Sequence, residues 1–475
     1  MMQTSRSSRR YLVAEVTCPH CWHRFVPEDA VWVASHPDLF GDAKLGDSEK
    51  MRFLPSRFDP AGEAIDPRGY TTSSTACPHC HLVVPRHLFT QPTFFCSILG
   101  APASGKSYFL ASMTWTLRQL LPSDFQLKMT DCDASLNARI LEYEEQQFLP
   151  ADPDALVWIA KTEEQGGMYN RIRLDEHGIT LPKPFLFDLK TREKHPRFFD
   201  AKPLSRTICL YDNAGESFLP GSDESSGPVT GHLGRSECLI FCFDPTQDPR
   251  FRAACQGVST DPQMRKRSVR DARETRVRQD TILTEAIRRA RRNAGLRADD
   301  TLDGILVVAV TKWDAWKSLL PDVSQEPPYR ILEGQHSASL DVGRIEDVSA
   351  RLEALLRKQC PEMVAAAESI AKHVVFLPVS ASGVSPELDP ASGQLGIRPR
   401  DLRPQWVEVP LLYALHLRTR GLVQGHTRRV DHSGQTRQAS NETGQASNHT
   451  GQASNHTGQA SNHTGQASNQ VGNTE

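Results

Sequence analysis

Three groups of residues have the types and spacing to do chemistry. The first is Gly100-Ala101-Pro102-Ala103-Ser104-Gly105-Lys106-Ser107, a G-x-x-x-x-G-K-S octet. In such a loop successive backbone N–H groups wrap phosphate oxygens, the following helix adds the positive end of its dipole, and glycine lets the backbone come close. Lys106 is placed to reach β- and γ-phosphates as a point charge, and the Ser107 hydroxyl to ligate Mg²⁺. Ser104 and Tyr108 complete the phosphate-binding set. The flanks argue against an ordinary glycine turn. Residues 94–99 form an apolar run of strand length, and Phe109, Leu110, Met113, Leu117 and Leu120 follow at helical spacing.

The second group lies downstream, at the ends of further apolar runs. Residues 206–211 lead into Asp212-Asn213-Ala214-Gly215-Glu216. D-x-x-G alone means little, since it also occurs at Asp38, Asp59, Asp66, Asp175 and Asp431. Only Asp212 closes a strand-like run beyond the octet. There a carboxylate can hold Mg²⁺ through water and the Gly215 N–H can meet a γ-phosphate, which makes residues 217–234, rich in Gly, Ser and Pro, a natural switch. Residues 304–310 lead into Thr311-Lys312-Trp313-Asp314. An aspartate here can accept from guanine N1–H and the exocyclic amine, a donor pair adenine lacks, while Lys312 lays its stem over the ring. Residues 373–379 lead into Ser380-Ala381-Ser382-Gly383, where the Ala381 N–H is placed for guanine O6. Trp313 and Trp316 are read as packing residues.

The third group is Cys18-Pro19-His20-Cys21 and its near copy Cys77-Pro78-His79-Cys80. Each C-x-x-C presents two thiolates at the spacing tetrahedral Zn²⁺ accepts, and four thiolates close the shell in the structural rather than the catalytic arrangement. The pattern resembles a zinc ribbon, with one departure. About 55 residues separate the knuckles, against the usual 15 to 20, so an insertion must loop out between them. A redox dithiol or two unrelated turns are the alternatives, and His20, His23, His79 and His81 are possible substitute ligands. Cys96, Cys209, Cys238 and Cys242 lie in apolar runs and read as core residues.

These groups need elements to hold them. The 475 residues are globular in composition up to about position 430, enough for a sizeable core. Lys plus Arg (55) nearly balances Asp plus Glu (57), so overall charge argues neither for nor against a nucleic-acid partner. No apolar run is long enough to span a bilayer and no secretory leader is seen, so a soluble cytoplasmic protein with no membrane partner is expected. Between the octet and Asp212 the pattern predicts a strand over 125–130, a helix over 135–148 and strands over 156–160 and 169–174. Residues 238–243 form another core strand. An arginine-rich segment, 265–297, is helical from about Asp271, with Ile282, Leu283, Ala286, Ile287 and Ala290 on one face and Arg288, Arg289, Arg291 and Arg292 around it. It is read as a solvated face, with an anionic partner as the alternative. Residues 407–420 form a closing amphipathic helix. From Gln438 a QASNxTG-type heptapeptide repeat has no apolar face and is expected to be disordered, its histidines at most weak metal ligands.

With four motifs in order, each ending a core strand, residues 93–421 resemble the Ras-like P-loop GTPases. The knuckles ahead of the octet, the D-x-A-G-E form and the long insertions are similar, more narrowly, to the bacterial double-GTPase family of conflict and antiphage systems. The resemblance implies an α/β fold of the P-loop NTPase type: a doubly wound, mostly parallel sheet with insertions, nucleotide at the carboxyl ends of the strands. A zinc-ribbon-like module (11–92), a GTPase domain (93–425) and a disordered tail (430–475) are the expected domains. The resemblance implies GTP as substrate, Mg²⁺ and Zn²⁺ as metals, and a protein partner that reads the nucleotide state. Gly100, Gly105, Lys106 and Ser107 then hold phosphates and Mg²⁺, Asp212 and Gly215 sense the γ-phosphate, and Thr311, Lys312, Asp314, Ser380 and Ala381 surround the base. Two departures bear on hydrolysis: Glu216 stands where many relatives carry Gln, and the switch-one threonine has only Thr162 and Thr180 as candidates. A P-loop ATPase and a zinc-ribbon adaptor with a non-hydrolysing nucleotide domain are the competing readings.

Overall fold

A computed structural model describes residues 12–158, 169–174, 177–200, 204–213, 215–219, 228–265, 278–297, 300–390, 393–429 and 437–438. Its centre is a seven-stranded sheet. In chain order the strands are β1 (Thr93–Gly100), β2 (Leu127–Asp131), β3 (Phe185–Thr191), β4 (Ser205–Asp212), β5 (Cys238–Phe243), β6 (Leu302–Val310) and β7 (Ala371–Pro378). Across the sheet the order is β2-β3-β4-β1-β5-β6-β7. From β4 to β7 all neighbours pair in parallel, whereas β3 runs antiparallel to both β4 and β2. The composition of the strands explains the architecture. β5 is buried at every residue, as is β6 from Ile305 to Val310, so both faces must be covered, the usual state of parallel strands.

The cover is helical. α1 (Lys106–Ser123) starts at the left-handed Gly105 and buries Phe109, Leu110, Met113, Leu117 and Leu121. α2 (Ala134–Phe148) is capped by Asp133, whose carboxylate accepts from the N–H groups of Ser135 and Leu136. α3 (Pro249–Cys255), α4 (Gln279–Ala294), α5 (Trp313–Trp316), α6 (Val342–Gln359), α7 (Pro361–Glu368) and α8 (Val409–Arg418) complete it. Their apolar faces join one cluster with both sides of the parallel strands. None of these helices is long and apolar enough to cross a membrane, among the described residues.

The strand expected over 125–130 and the helix over 135–148 correspond to β2 and α2. Residues 156–160 do not form a strand: Val157 makes an isolated bridge to Ile397, and 159–160 lie outside the described residues. Tyr169–Leu174 is a strand, but it pairs with His177–Pro182 in a hairpin apart from the central sheet. The structure adds β3, α6 and α7, which were not anticipated. The helix expected from Asp271 is described only as α4, with the predicted apolar face buried. Arg289 corrects the picture of a solvated basic face. It is 1% exposed, pairs with Glu285 at 2.6 Å and lies over the Phe218 ring, because the helix presses that side against the turn following Gly215. The repeat tail lies outside the described residues apart from 437–438, which pair with Arg428–Arg429.

Ahead of β1, short strands Val83–Val84, Thr75–Ala76, Val31–Val33 and Arg52–Phe53 form a four-stranded sheet in that order. Between the cysteine pairs, Asp66 is fully buried and accepts from the N–H groups of Ser35, His36, Arg68 and Tyr70, which pins the insertion down. The core here is not made by residues before 93 alone. Ile172 and Leu181, from the two strands of the hairpin, are buried in the same cluster as Val16, Phe25, Val84 and Leu88. Leu181→Ala should therefore destabilise the N-terminal part by roughly 2–5 kcal/mol. Amide hydrogen exchange is the check: it should rise across residues 12–89 and stay unchanged in β6, and unchanged exchange in both regions would contradict this packing.

Candidate functional site

The parallel strands end at one edge of the sheet, and a cavity of about 380 Å³ opens there. Its walls bring together residues far apart in the chain: 102–107 of the octet with the following Tyr108, Gly215, Thr311, Lys312, Asp314, Ala381 and Ser382. The octet turns out of β1 at Gly100, where an added Cβ would stand 2.7 Å from the Cys242 carbonyl and 2.8 Å from Ser104 Oγ. It then winds through left-handed Ala103 and Gly105 into α1. Lys106 is 7% exposed, its ammonium donating to the carbonyls of Gly100 (3.1 Å) and Ala101 (2.9 Å). Gly215 packs directly on this loop: a Cβ there would lie 2.5 Å from the Pro102 nitrogen and 2.7 Å from the Gly100 oxygen. Only glycine lets the two loops approach so closely. Ser107 and Tyr108 line the same cavity.

Asp212 ends β4 opposite Ile98 of β1, two residues before the octet begins, and is 6% exposed. Asp212 itself is not among the residues lining the cavity, which Ser107 and Gly215 do line. Glu216 follows in the 3₁₀ turn Gly215–Phe218, and its side chain lies outside what is described. Of the switch-one candidates, Thr162 lies outside the described residues. Thr180 pairs with Arg171 in the hairpin and does not line the cavity.

The other end of the cavity is built around Asp314 on α5. Ser380 Oγ donates to its carboxylate, and the Gly383 N–H in turn donates to Ser380 Oγ at 2.7 Å. Burial pushes the Asp314 carboxyl up to about 6, against the opposing pull of the Ser380 hydroxyl. Thr311 Oγ1 donates toward the carbonyls of Ser104 (3.2 Å) and Phe243 (3.1 Å), so the two ends of the cavity are tied through one hydroxyl. Lys312 adopts a left-handed backbone, and its Nζ donates to Asp244 Oδ2 at 2.8 Å and Thr246 Oγ1 at 3.1 Å. Trp313 and Trp316 are both fully buried, packing as expected.

Sequence reasoning missed several residues that support the site. Asp244, at the end of β5, anchors Lys312 and also accepts from Gln247, whose amide donates to the Pro102 carbonyl. A carboxylate closing an apolar run was the available signal. Ser112 of α1 and Gln147 of α2 donate to the Ala381 carbonyl at 2.8 and 3.4 Å, turning that peptide so that its loop is held from behind. Pro386, Leu395 and Ile397 add an apolar wall that no local pattern announced.

A second candidate site lies in the N-terminal part. The Sγ atoms of Cys18, Cys21, Cys77 and Cys80 all lie within 4.8 Å of one another, with Cys18 to Cys80 at 3.8 Å and Cys21 to Cys77 at 3.7 Å. A regular tetrahedron of sulfurs about 2.3 Å from zinc has edges of about 3.8 Å, so the cluster fits Zn²⁺. The two knuckles repeat each other. The N–H groups of His20 and His79 donate to Cys18 and Cys77 sulfurs, and the residues after each pair, Trp22 and His81, are both left-handed. Burial pushes the Cys18 thiol up, while hydrogen bonds from Cys18 and Cys21 hold Cys77 well below the thiol range. The histidines are used elsewhere: His20 Nε2 bonds the Val83 carbonyl, His81 Nδ1 bonds Asp42, and His23 stacks on His79.

No family model matches the chain, and no curated protein matches it. Among solved structures it is similar to Sup35 complexed with GMPPNP, at 12% identity over 61% of this chain and 38% of that one, with a TM-score of 0.20. It is also similar to the S. cerevisiae Ski7 GTPase-like domain. The form bound to GDP and inorganic phosphate matches at 12% identity over 69% of this chain and 51% of that one, TM-score 0.25. The form bound to GTP matches at 14% identity over 64% and 46%, TM-score 0.22. The chain thus spans between 38% and 51% of the length of these structures. Likeness at this level identifies neither a shared ligand nor a shared activity.

The raised Asp314 carboxyl has a measurable consequence without any ligand. Its folded value of about 6 exceeds the unfolded value of about 3.9, so the folded state binds the proton more tightly. Stability present below pH 4 is lost as pH rises through 6, by roughly 3 kcal/mol for a shift of two units. Urea unfolding of wild type compared with Asp314→Asn should show the difference between the two growing over that window, and a pH-independent difference would contradict it.

Proposed function

We propose that the chain is a GTP-binding switch protein with a P-loop GTPase domain (93–425) and a zinc-holding N-terminal module (11–92). The observation that carries this reading is the single cavity in which the octet, Gly215, Asp314 and the 381–382 loop converge from four strand ends. Phosphates lie along the N–H groups of 102–107, with Lys106 leaving its carbonyl partners to meet the β- and γ-phosphates. Asp314 accepts from the guanine N1–H and amine, the Ala381 N–H donates to O6, and the Lys312 stem, anchored by Asp244, covers the ring. Asp244, Ser380 and Ser112 hold these groups in place, so little ordering is left to be done on binding. Mg²⁺, when held by Ser107 and through water by Asp212, would neutralise charge on the β- and γ-oxygens.

Hydrolysis by this site is slow on the same reading. Glu216 can accept from a water, but it lacks the amide donor that Gln offers toward the γ-phosphate and places negative charge near developing negative charge. An arginine could relieve this. Arg289, which approaches the turn after Gly215, is engaged by Glu285 and the Phe218 ring and so acts as a prop for that turn. The arginines of 266–277 lie outside the described residues, and a partner in trans is the alternative source, a protein that reads the switch being the expected partner. The narrower kinship with bacterial double GTPases rests on overall layout: the knuckles ahead of the octet, the D-x-A-G-E form and the long insertions. An adaptor that binds GTP without turnover is the second reading, favoured by Glu216. An ATPase is disfavoured by Asp314, since adenine offers no donor pair to a carboxylate.

Direct titration should show binding of GDP and GTP in preference to ATP, and comparable affinity for ATP would exclude a guanine site. Asp314→Ala should cost on the order of 2–4 kcal/mol in GDP affinity, the loss of a buried charge-assisted pair. Single-turnover hydrolysis should be slow in wild type and faster in Glu216→Gln. Turnover at tens per second in wild type, reduced in both Glu216→Gln and Glu216→Ala, would make Glu216 a catalytic residue instead. Metal analysis of protein purified without chelator should return one zinc per chain, lost in Cys77→Ser.

A further inference from the structure

The strand that ends at Asp212, alongside Ile98 of β1, presents its other face to the four-cysteine cluster. Successive side chains of a strand point to opposite faces. Phe95 and Ser97 of β1 align with Cys209 and Tyr211 of β4, and this row forms a small cluster with Trp22, the residue after Cys21. Tyr211 is fully buried. Its hydroxyl donates to the Pro19 carbonyl, inside the first knuckle, at 2.6 Å, and accepts from Trp22 Nε1 at 3.2 Å. Its ring stacks on His232 with centroids 4.4 Å apart and planes 12° from parallel. Trp22 reaches this point because residue 231 is glycine, as a Cβ there would collide with the indole ring.

His232, also fully buried, continues the chain of contacts to the nucleotide side. Asn213 Nδ2 donates to the Ile98 carbonyl at 3.0 Å, which leaves its Oδ1 as the acceptor of His232 Nε2–H at 3.0 Å. The Asn213 amide orientation thus assigns a proton to His232 Nε2. His232 Nδ1 lies 2.6 Å from the Ser97 hydroxyl. Asn213 stands between Asp212 and Gly215, in the segment whose N–H must meet the γ-phosphate. Independently, the hairpin 169–182 places Ile172 and Leu181 in the same core as Cys18, Cys77 and Cys80, and its Arg173 N–H donates to the Lys44 carbonyl at 2.8 Å. The N-terminal module therefore grips the chain on both sides of β3 and β4.

We propose that Tyr211 and His232 are positioning residues that couple the four-cysteine knuckle to the Asp212–Gly215 turn, so that zinc at the knuckle favours the γ-phosphate-bound state of the site. The proposal rests on the guanine-nucleotide reading above. GDP makes no demand on the Gly215 N–H, whereas GTP does. A knuckle held rigid by metal keeps the Pro19 carbonyl and Trp22 in place, and they fix the Tyr211 hydroxyl, the stacked imidazole and the Asn213 amide in turn. Coupling between two sites is reciprocal, so GTP should in return tighten the hold on zinc.

The test uses the full chain, with affinities for GDP and GTPγS measured by titration alongside zinc content. His232→Ala and Tyr211→Phe should each weaken GTPγS roughly tenfold, a typical coupling, while GDP affinity and the one zinc per chain are retained. His232→Gln should recover most of the loss, because its amide can still donate to Asn213. Release of zinc to a chromogenic chelator should be slower with GTPγS than with GDP in wild type, and equal with both in His232→Ala. Equal weakening of GDP and GTPγS in the variants, or zinc release indifferent to the nucleotide in wild type, would overturn the coupling while leaving the nucleotide site standing. Absence of any guanine-nucleotide binding by wild type would overturn both.

Discussion

Everything in this molecule depends on β1 being paired in parallel on both sides, with β4 and β5. Parallel strands end at the same edge, and a chain leaving β1 toward α1 has to turn tightly between neighbours already in place. The turn runs through Gly100, where the Cys242 carbonyl of β5 leaves no room for a side chain. The same register brings Asp212 alongside Ile98 and the Thr311 hydroxyl to the Phe243 and Ser104 carbonyls. Shift the register of either neighbour by one residue and every one of these side chains moves to the opposite face.

The cost of the arrangement is buried charge. Asp244 and Lys106 are buried and Asp314 is half-buried; Asp244 is compensated by an ion pair with Lys312 and by local donors, Lys106 by backbone carbonyls. Asp244 is fully buried, yet it accepts from Lys312, Gln247 and the Thr246 N–H and hydroxyl. Asp314 has less, the Ser380 hydroxyl and its own backbone N–H, and burial raises its carboxyl. On the guanine reading proposed above, that asymmetry suits a ligand. A carboxylate already satisfied by the protein would gain nothing from a base, whereas one left short of donors gains most from a ligand that supplies two.

The N-terminal part is tied to this machinery by specific contacts rather than by a linker. Its sulfur cluster supplies geometry fit for a metal, its core borrows Ile172 and Leu181 from the hairpin after α2, and Trp22 enters a gap left by Gly231. These contacts fall on the two segments that lie between the octet and β5. A small sheet of very short strands could not order itself without the metal or such borrowed apolar area, since too little surface is buried by fewer than a hundred residues of loops.

The chain by itself determined which motifs matter, because each is local: an octet between an apolar run and a helical face, a carboxylate at the end of a strand, two C-P-H-C knuckles. It also separated Asp212 from its look-alikes. Asp59 and Asp66 carry the same D-x-x-G spelling, and in the structure they close turns of the insertion by bonding their own neighbours' N–H groups. What lay beyond the sequence was everything set by pairing at a distance. β3 was invisible because Phe185–Thr191 alternates ambiguously and owes its place to two antiparallel neighbours. Residues 169–174 read as a strand without a partner, because period alone does not name one, and the structure supplies His177–Pro182. Arg289 read as solvated because a helical wheel cannot show that Phe218 will be laid against it. Tyr211 and His232 carried no signal at all, since an aromatic in a strand and a histidine in a glycine-rich segment become a relay only when the fold stacks one on the other.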